Sequence, residues 1–229
     1  MANIISTRAK HLTVDIETIP LPIELRGFTK PKEEDIKYGN LGEEKKKEKY
    51  KQVLESWSMG EGAALDAFQA SIPLIGFKID DTDYNYIISE NDKEGIIKFW
   101  ELISRFPYGS LIIGGFNVFW DLRMLARRSV LNKIQVPQFI TSQLNSYNAP
   151  LIFDVMQYFQ FNDRKYYFKL DTIAKAFGLS VKSIKDKNGN LIKGENFFKH
   201  WAIDKPACIE YNKEDINTTW ELIKIMKGL

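Results

Sequence analysis

The run SLIIGGF at 110–116 is almost wholly apolar, so a strand built from it has no polar face to offer water and must be covered on both sides. Before it, DKEGIIKFWELISRF at 92–106 sets Ile96, Ile97, Trp100 and Ile103 at helical spacing. After it, 118–131 repeats that spacing through Phe119, Leu122, Leu125, Ala126 and Val130. With strands on both sides of the first helix, this order predicts a parallel crossover, the building unit of an α/β fold.

Three further strands are expected upstream. HLTVDI at 11–16 alternates Leu12, Val14 and Ile16 with Thr13, Asp15 and, one step on, Glu17, the pattern of a half-buried strand. IPLIGFKI at 72–79 and YNYIIS at 84–89 flank the turn residues DDTD and complete a three-stranded antiparallel unit. The expected fold is α/β, with a mixed central sheet of three antiparallel strands plus parallel strands, flanked by helices.

Downstream, the polar, Pro-bounded stretch 136–150 reads as a loop. LIFDVMQYFQF reads as a strand end with a helix, and KLDTIAKAFGL as a helix closed by Gly178, with Asp154 and Asp171 as N-caps. Asn-Gly in KDKNGNLIKG predicts a hairpin. The stretch 205–227 predicts a closing helix, with Pro206 in its first turn and Gly228 at its end. From about 27 to 60 charge dominates, although Tyr50, Val53, Leu54 and Trp57 mark one apolar stripe; a charged helical arm inserted into one domain spanning 1–229 is expected.

Composition narrows the function classes. A chain of 229 residues, 44% hydrophobic, can supply a substantial core. No run of about eighteen apolar residues and no leader-like amino terminus is found, so a soluble, intracellular, cytoplasmic protein without membrane contact is expected. One cysteine, Cys208, allows no internal disulfide, and two histidines, His11 and His200, cannot easily assemble a zinc site. The net charge of +2 is too balanced to predict a polyanionic partner. Two local clusters are basic: Arg123, Arg127, Arg128 and Lys133, and Lys182, Lys185, Lys187 and Lys193.

Against this background four acids stand out. Asp15 and Glu17 in LTVDIET are i and i+2 on a strand, so both side chains face one way. Asp121 in FNVFWDLRML follows a buried strand, where α/β proteins build sites from helix starts and free backbone groups. Asp215 in YNKEDINTT is four residues after Tyr211, on the same face of the closing helix. Carboxylates gathered in this way suit divalent cations that engage phosphates.

DIET, FNVFWD and YNKED, in this order, resemble the three motifs of the DEDD superfamily of 3′-to-5′ exonucleases, in the tyrosine (DEDDy) subclass whose third motif is Y-x-x-x-D. The similarity is greatest to stand-alone exonucleases related to the proofreading domain of family B DNA polymerases. It runs from His11 to Ile223, including IFDVMQYF and LDTIAKAFGL, and leaves the charged arm unexplained. Glu210 stands where the histidine subclass would carry its base. The resemblance implies a ribonuclease H-like fold and a single exonuclease domain.

It further implies two Mg²⁺ or Mn²⁺ ions. One would be held by Asp15, Glu17 and Asp215, and one by Asp15 with Asp121, about 3.5–4 Å apart. Tyr211 would orient the attacking water, because an ordinary phenol with a pKa of about 10 is a poor base at neutral pH, and would act as general base only if the metals lower its pKa. Substrate contacts are expected from Ile16, Thr18, Phe116, Asn117, Arg123 and Arg127, with Phe119 as a further stacking candidate. The expected partner is a nucleic-acid 3′ end, foremost single-stranded DNA, released as nucleoside 5′-monophosphates. The arm is expected to cover the substrate path or dock a protein. Two alternatives remain open: a 3′-to-5′ exoribonuclease of the same fold, and a non-catalytic nucleic-acid-binding or partner-docking module. Proofreading, repair and nucleotide recycling are equally open.

Overall fold

The computed structural model describes residues 9–26, 30–60, 62–146, 148–161, 163, 165–181 and 183–229. Five strands form one sheet: β1 (Lys10–Pro20), β2 (Ala70–Ile79), β3 (Asn85–Ile88), β4 (Leu111–Gly115) and β5 (Ile152–Asp154), in the order β3-β2-β1-β4-β5. β1 and β4 are parallel, from Lys10 opposite Leu111 to Thr13 opposite Gly114. β4 and β5 are also parallel, ending with Gly115 opposite Asp154. β2 and β3 are antiparallel, from Leu74 opposite Ile88 to Phe77 opposite Asn85. β1 and β2 run in opposite directions, since Asp80 N–H reaches His11 O at 2.8 Å and Leu21 N–H reaches Gln69 O at 2.7 Å. The result is the expected mixed sheet flanked by helices.

The chain divides into two compact units. The larger runs through Glu17 and resumes from Ile72 to Leu229; the smaller is Thr18–Ser71. Most of the expected charged arm lies within the smaller unit. Its helix α1 (Glu43–Met59) carries Tyr50, Val53, Leu54 and Trp57 half-buried, and Arg26 donates to Leu21 O and to Trp57 O, both at 2.7 Å. Residues 27–29 of the arm lie outside the described residues.

In the larger unit, α2 (Asp92–Ser104) and α3 (Val118–Leu131) are joined by Trp100 Nε1 donating to Ser129 Oγ at 2.8 Å and by a buried Arg128–Asp92 pair at 2.6 Å. Phe99, Leu122 and Leu125 are fully buried there. Next come α4 (Gln138–Leu144), α5 (Val155–Gln160), α6 (Leu170–Ala176), α7 (Phe197–Trp201) and α8 (Lys205–Lys227). α8 starts where Asp204 accepts the Ala207 N–H at 3.1 Å, has Pro206 in its first turn, and stops at Gly228 with φ 64°. Its Trp220, Leu222 and Ile223 join Val155, Ile173 and Ala174 in one apolar cluster.

Two strand glycines let α8 come close to the sheet. A Cβ on Gly114 would lie 2.6 Å from Ile223 Cδ1, and one on Gly76 would lie 1.7 Å from Asn212 Oδ1. Any side chain at either position would push the helix or its side chains away.

Several expectations change. β1 is not half-buried: Leu12, Val14 and Ile16 are buried on one face and Thr13 and Glu17 on the other. It is the central strand, covered on both sides, so alternation in the sequence reported pleat rather than exposure. The expected 136–150 loop contains α4, whose buried Ile140 and Gln143 are too few to give a helical period. Asp171 is not an N-cap; Lys169 occupies that position, and Asp171 lies in the first turn of α6. The Asn-Gly turn is present, with Gly189 at φ 82°, but among the described residues its arms share one isolated bridge, Lys185 to Leu191. No described helix is long and apolar enough to cross a membrane.

Candidate active site

β4 and β5 end side by side next to the middle of the longer parallel strand β1, and most of the acids lie around that level. Asp15 and Glu17 share a face of β1, Asp121 lies one turn into α3 after β4, and Asp154 ends β5. α8 supplies Tyr211 and Asp215. The four expected acids act on one another across three separate chain segments: Asp15 feels the charges of Glu17, Asp121 and Asp215.

Glu17 and Asp121 are buried, and Asp15 and Asp215 are half-buried. Burial pushes the Asp15 carboxyl well above the ordinary range, and the Glu17, Asp121 and Asp215 charges push the same way. Glu17 is raised by burial and by Asp215, while a hydrogen bond from Asn212 pulls it back. Asp121 is raised by burial against the Ile16 N–H, which approaches its Oδ1 at 3.4 Å. Asp215 is raised to about 7, chiefly by burial, against a hydrogen bond from Tyr211. Burial and then the Asp215, Glu17 and Asp15 charges hold the Tyr211 phenol firmly protonated. The largest influences on the four acids, besides burial, are other acids and hydrogen-bond donors.

The groups between the acids are equally specific. The Asn212 amide donates to Asp15 Oδ2 at 2.7 Å and approaches Glu17 Oε1 at 3.5 Å, while its Oδ1 accepts from the Tyr84 hydroxyl at 3.0 Å. The Tyr211 ring is braced against Phe197, with centroids 6.3 Å apart. Asp154 accepts from Asn117 N–H and Phe119 N–H at 3.2 Å each and from Gln157 N–H at 3.1 Å, so it caps α5 and also ties down the start of α3.

The expected substrate contacts are placed unevenly. The Ile16 side chain is in the core, leaving its backbone at the site. Thr18 is buried at the start of the smaller unit. Asn117 is half-buried in a left-handed conformation at φ 57°, and its side chain makes no cap hydrogen bond. Phe116 is half-buried against the apolar cluster of α8, and Arg123 is exposed over the Phe119 ring at 5.4 Å. Arg127 and Lys133 are exposed, whereas Arg128 is buried with Asp92. In the second basic cluster Lys185, Lys187 and Lys193 are exposed, and Lys182 lies outside the described residues.

Sequence reasoning missed Asn212, Tyr84, Gly76 and the bracing role of Asp154. A signal for Asn212 existed. Cys208, Asn212, Ile216 and Trp220 recur every four residues and are buried, which makes Asn212 a polar residue in the middle of the packed stripe. The stripe runs through Cys208 rather than through the half-buried Ile209.

The donor set is all oxygen, which suits a hard divalent cation. Among the described residues no group of three or more His, Cys, Asp or Glu side chains is already drawn together as a metal site. The group that Asp15 and Glu17 share is the Asn212 amide.

No protein-family model matches the chain. It is 26% identical over 171 residues to an uncharacterised protein of Methanocaldococcus jannaschii, covering 72% of this chain and 91% of that one. In structure it is similar to the family B DNA polymerase of the hyperthermophilic archaeon Pyrobaculum calidifontis, with a TM-score of 0.57 at 15% identity over 96% of this chain. The likeness is one of fold. The chain spans 24% of the polymerase's length, so it corresponds to one part of that larger protein.

Proposed function

We propose that this chain is a metal-dependent 3′-to-5′ exonuclease of the DEDD superfamily, tyrosine subclass, with a ribonuclease H-like fold, acting on single-stranded DNA. The observation that carries the reading is that Asp15, Glu17, Asp121 and Asp215, from three distant segments, lie near enough for the charges of Glu17, Asp121 and Asp215 to raise the affinity of Asp15 for protons, and those of Asp215 and Asp121 that of Glu17. Such a cluster is costly unless positive charge enters it. The fold likeness to a family B DNA polymerase supports a nucleic-acid substrate.

In this reading Asp15, Glu17 and Asp215 hold one Mg²⁺ or Mn²⁺ ion, and Asp15 with Asp121 holds a second. When bound, the ions supply Lewis acidity toward a phosphodiester and its attacking water. Without the ions, burial and the neighbouring acids keep Tyr211 protonated. Its hydroxyl donates, and it orients a water or phosphate oxygen beside Asp215. Asn117, at the helix start and with no cap hydrogen bond from its side chain, would contact the terminal nucleotide. Phe116 and the Phe119–Arg123 pair offer stacking surfaces for bases. Products are nucleoside 5′-monophosphates.

The test is a time course on 3′-end-labelled and 5′-end-labelled DNA and RNA, single-stranded and duplex, with and without Mg²⁺ or Mn²⁺. Stepwise loss from the 3′ end that stops in folded Asp15→Ala and Asp215→Ala variants is expected. Undiminished activity in either variant removes the metal assignment. Faster degradation of RNA than DNA converts the reading to an exoribonuclease.

A further inference from the structure

We propose that Asn212 is a positioning residue that holds the Asp15 and Glu17 carboxylates in the orientation needed to receive a divalent cation. The inference rests on the metal-dependent reading above and adds to it a third partner for the strand acids.

The geometry is specific in three ways. Asn212 is fully buried, and its amide nitrogen faces Asp15 Oδ2 at 2.7 Å and Glu17 Oε1 at 3.5 Å. An amide NH₂ has two hydrogens, one for each carboxylate. Its orientation is set from behind, because the Tyr84 hydroxyl lies 3.0 Å from Oδ1. Burial and the Asp15 and Glu17 charges keep Tyr84 protonated and therefore able to donate, so the amide cannot turn its oxygen toward the acids without loss. Finally, Gly76 on β2 leaves the space in which the amide lies; a Cβ there would be 1.7 Å from Asn212 Oδ1. Gly76 does not have a positive φ, so room for Asn212, not backbone conformation, is the constraint there.

The consequence is electrostatic as well as steric. Two carboxylates on neighbouring same-face positions of a strand, one buried and one half-buried, repel, and their rotamers would swing apart without a common partner. An ionised carboxylate has about four lone-pair positions. Asn212 needs one on each acid and leaves the others for a cation. Hydrogen-bonding partners that orient ligands in this way typically change metal affinity by about 10–100-fold.

The experiment is Mn²⁺ binding to the full chain in the absence of nucleic acid, read by electron paramagnetic resonance of free Mn²⁺, for wild type, Asn212→Ala, Tyr84→Phe and Asp215→Ala. Folding is checked by circular dichroism. Asn212→Ala is expected to bind about ten-fold more weakly and Tyr84→Phe about three-fold more weakly. On single-stranded DNA, Asn212→Ala is expected to keep its KM for DNA and to recover its rate at saturating Mn²⁺, a rescue that a purely structural defect would not show. If Asn212→Ala binds Mn²⁺ as tightly as wild type, or more tightly, the proposal is overturned. If that variant does not fold, Tyr84→Phe decides, and wild-type affinity in it has the same effect. Loss of binding in Asp215→Ala with none in Asn212→Ala overturns the Asn212 role alone. A wild type that binds no Mn²⁺, or equal binding in wild type and Asp215→Ala, overturns the metal-dependent reading and this inference with it.

Discussion

The Asp154 carboxylate, at the end of β5, accepts the backbone N–H of Asn117 at 3.2 Å across the junction between β4 and α3. Asn117 is in the left-handed region, where a non-glycine residue is strained, and this bond together with the one from Phe119 N–H holds it there. The helix that carries Asp121 therefore starts from a point fixed by another strand.

Replacing Asp154 with alanine leaves the Asn117, Phe119, Met156 and Gln157 N–H groups without their acceptor. A loss of about 1–3 kcal/mol is expected in urea unfolding, with metal-dependent turnover falling further than stability because Asp121 is displaced. A variant as stable and as active as wild type would show that the α3 junction needs no brace.

Tyr211 donates to Asp215 and so lowers that acid's affinity for protons. Tyr211→Phe removes both this donor and the hydroxyl that the proposed mechanism uses to orient a water. Turnover on single-stranded DNA is expected to fall by about 10²-fold with KM little changed, and Mn²⁺ binding is expected to require higher pH. Unchanged kcat would leave the hydroxyl without a role.

How much of this was legible in the sequence depended on whether the signal was local. The strands 72–79 and 110–116 and the helices 118–131 and 205–227 could be read because their period and end signals lie within the segment itself. Asp15 and Glu17 were legible as a same-face pair for the same reason. Asn212 was legible only as a polar residue in the packed stripe of α8; its partners were not, because they lie 195 and 197 positions away in the chain. Gly76 looked like an ordinary strand glycine, since the atom it makes room for belongs to α8. α4 was hidden because a seven-residue helix with two buried positions has no period to display.

Asp215 gives a stability prediction with a definite sign. Burial raises it to about 7, against an unfolded value of about 4. Between those values the folded, metal-free protein binds more protons than the unfolded chain, so stability falls as pH rises from about 4 through about 7. Asp215→Asn keeps the shape and an acceptor for Tyr211 but carries no charge. Metal-free, the variant is expected to be about 1–3 kcal/mol more stable than wild type at pH 8, with the gain gone below about pH 4. Saturating Mg²⁺ should reverse the order. Calorimetry with and without chelator measures both, and a variant less stable than wild type in chelator would contradict the assignment.

Asp186 has the opposite sign. It lies in the Asn-Gly turn, its side chain enclosed, with the His200 ring 2.9 Å away and N–H groups of Asn188 and Asn190 each donating at 2.9 Å. Burial raises its carboxyl, but the Asn190 N–H, the His200 ring and the remaining donors outweigh burial and lower it to about 2. Since the unfolded value is about 4, the contribution of Asp186 is fully present above about pH 4 and disappears as pH falls through about 2. Asp186→Asn turns an amide toward donors that require an acceptor. The variant should have a lower urea midpoint than wild type at pH 7, with the difference shrinking between about pH 4 and pH 2. A difference that stays constant down to pH 2 would mean that the turn is held by its shape and not by the charge of Asp186.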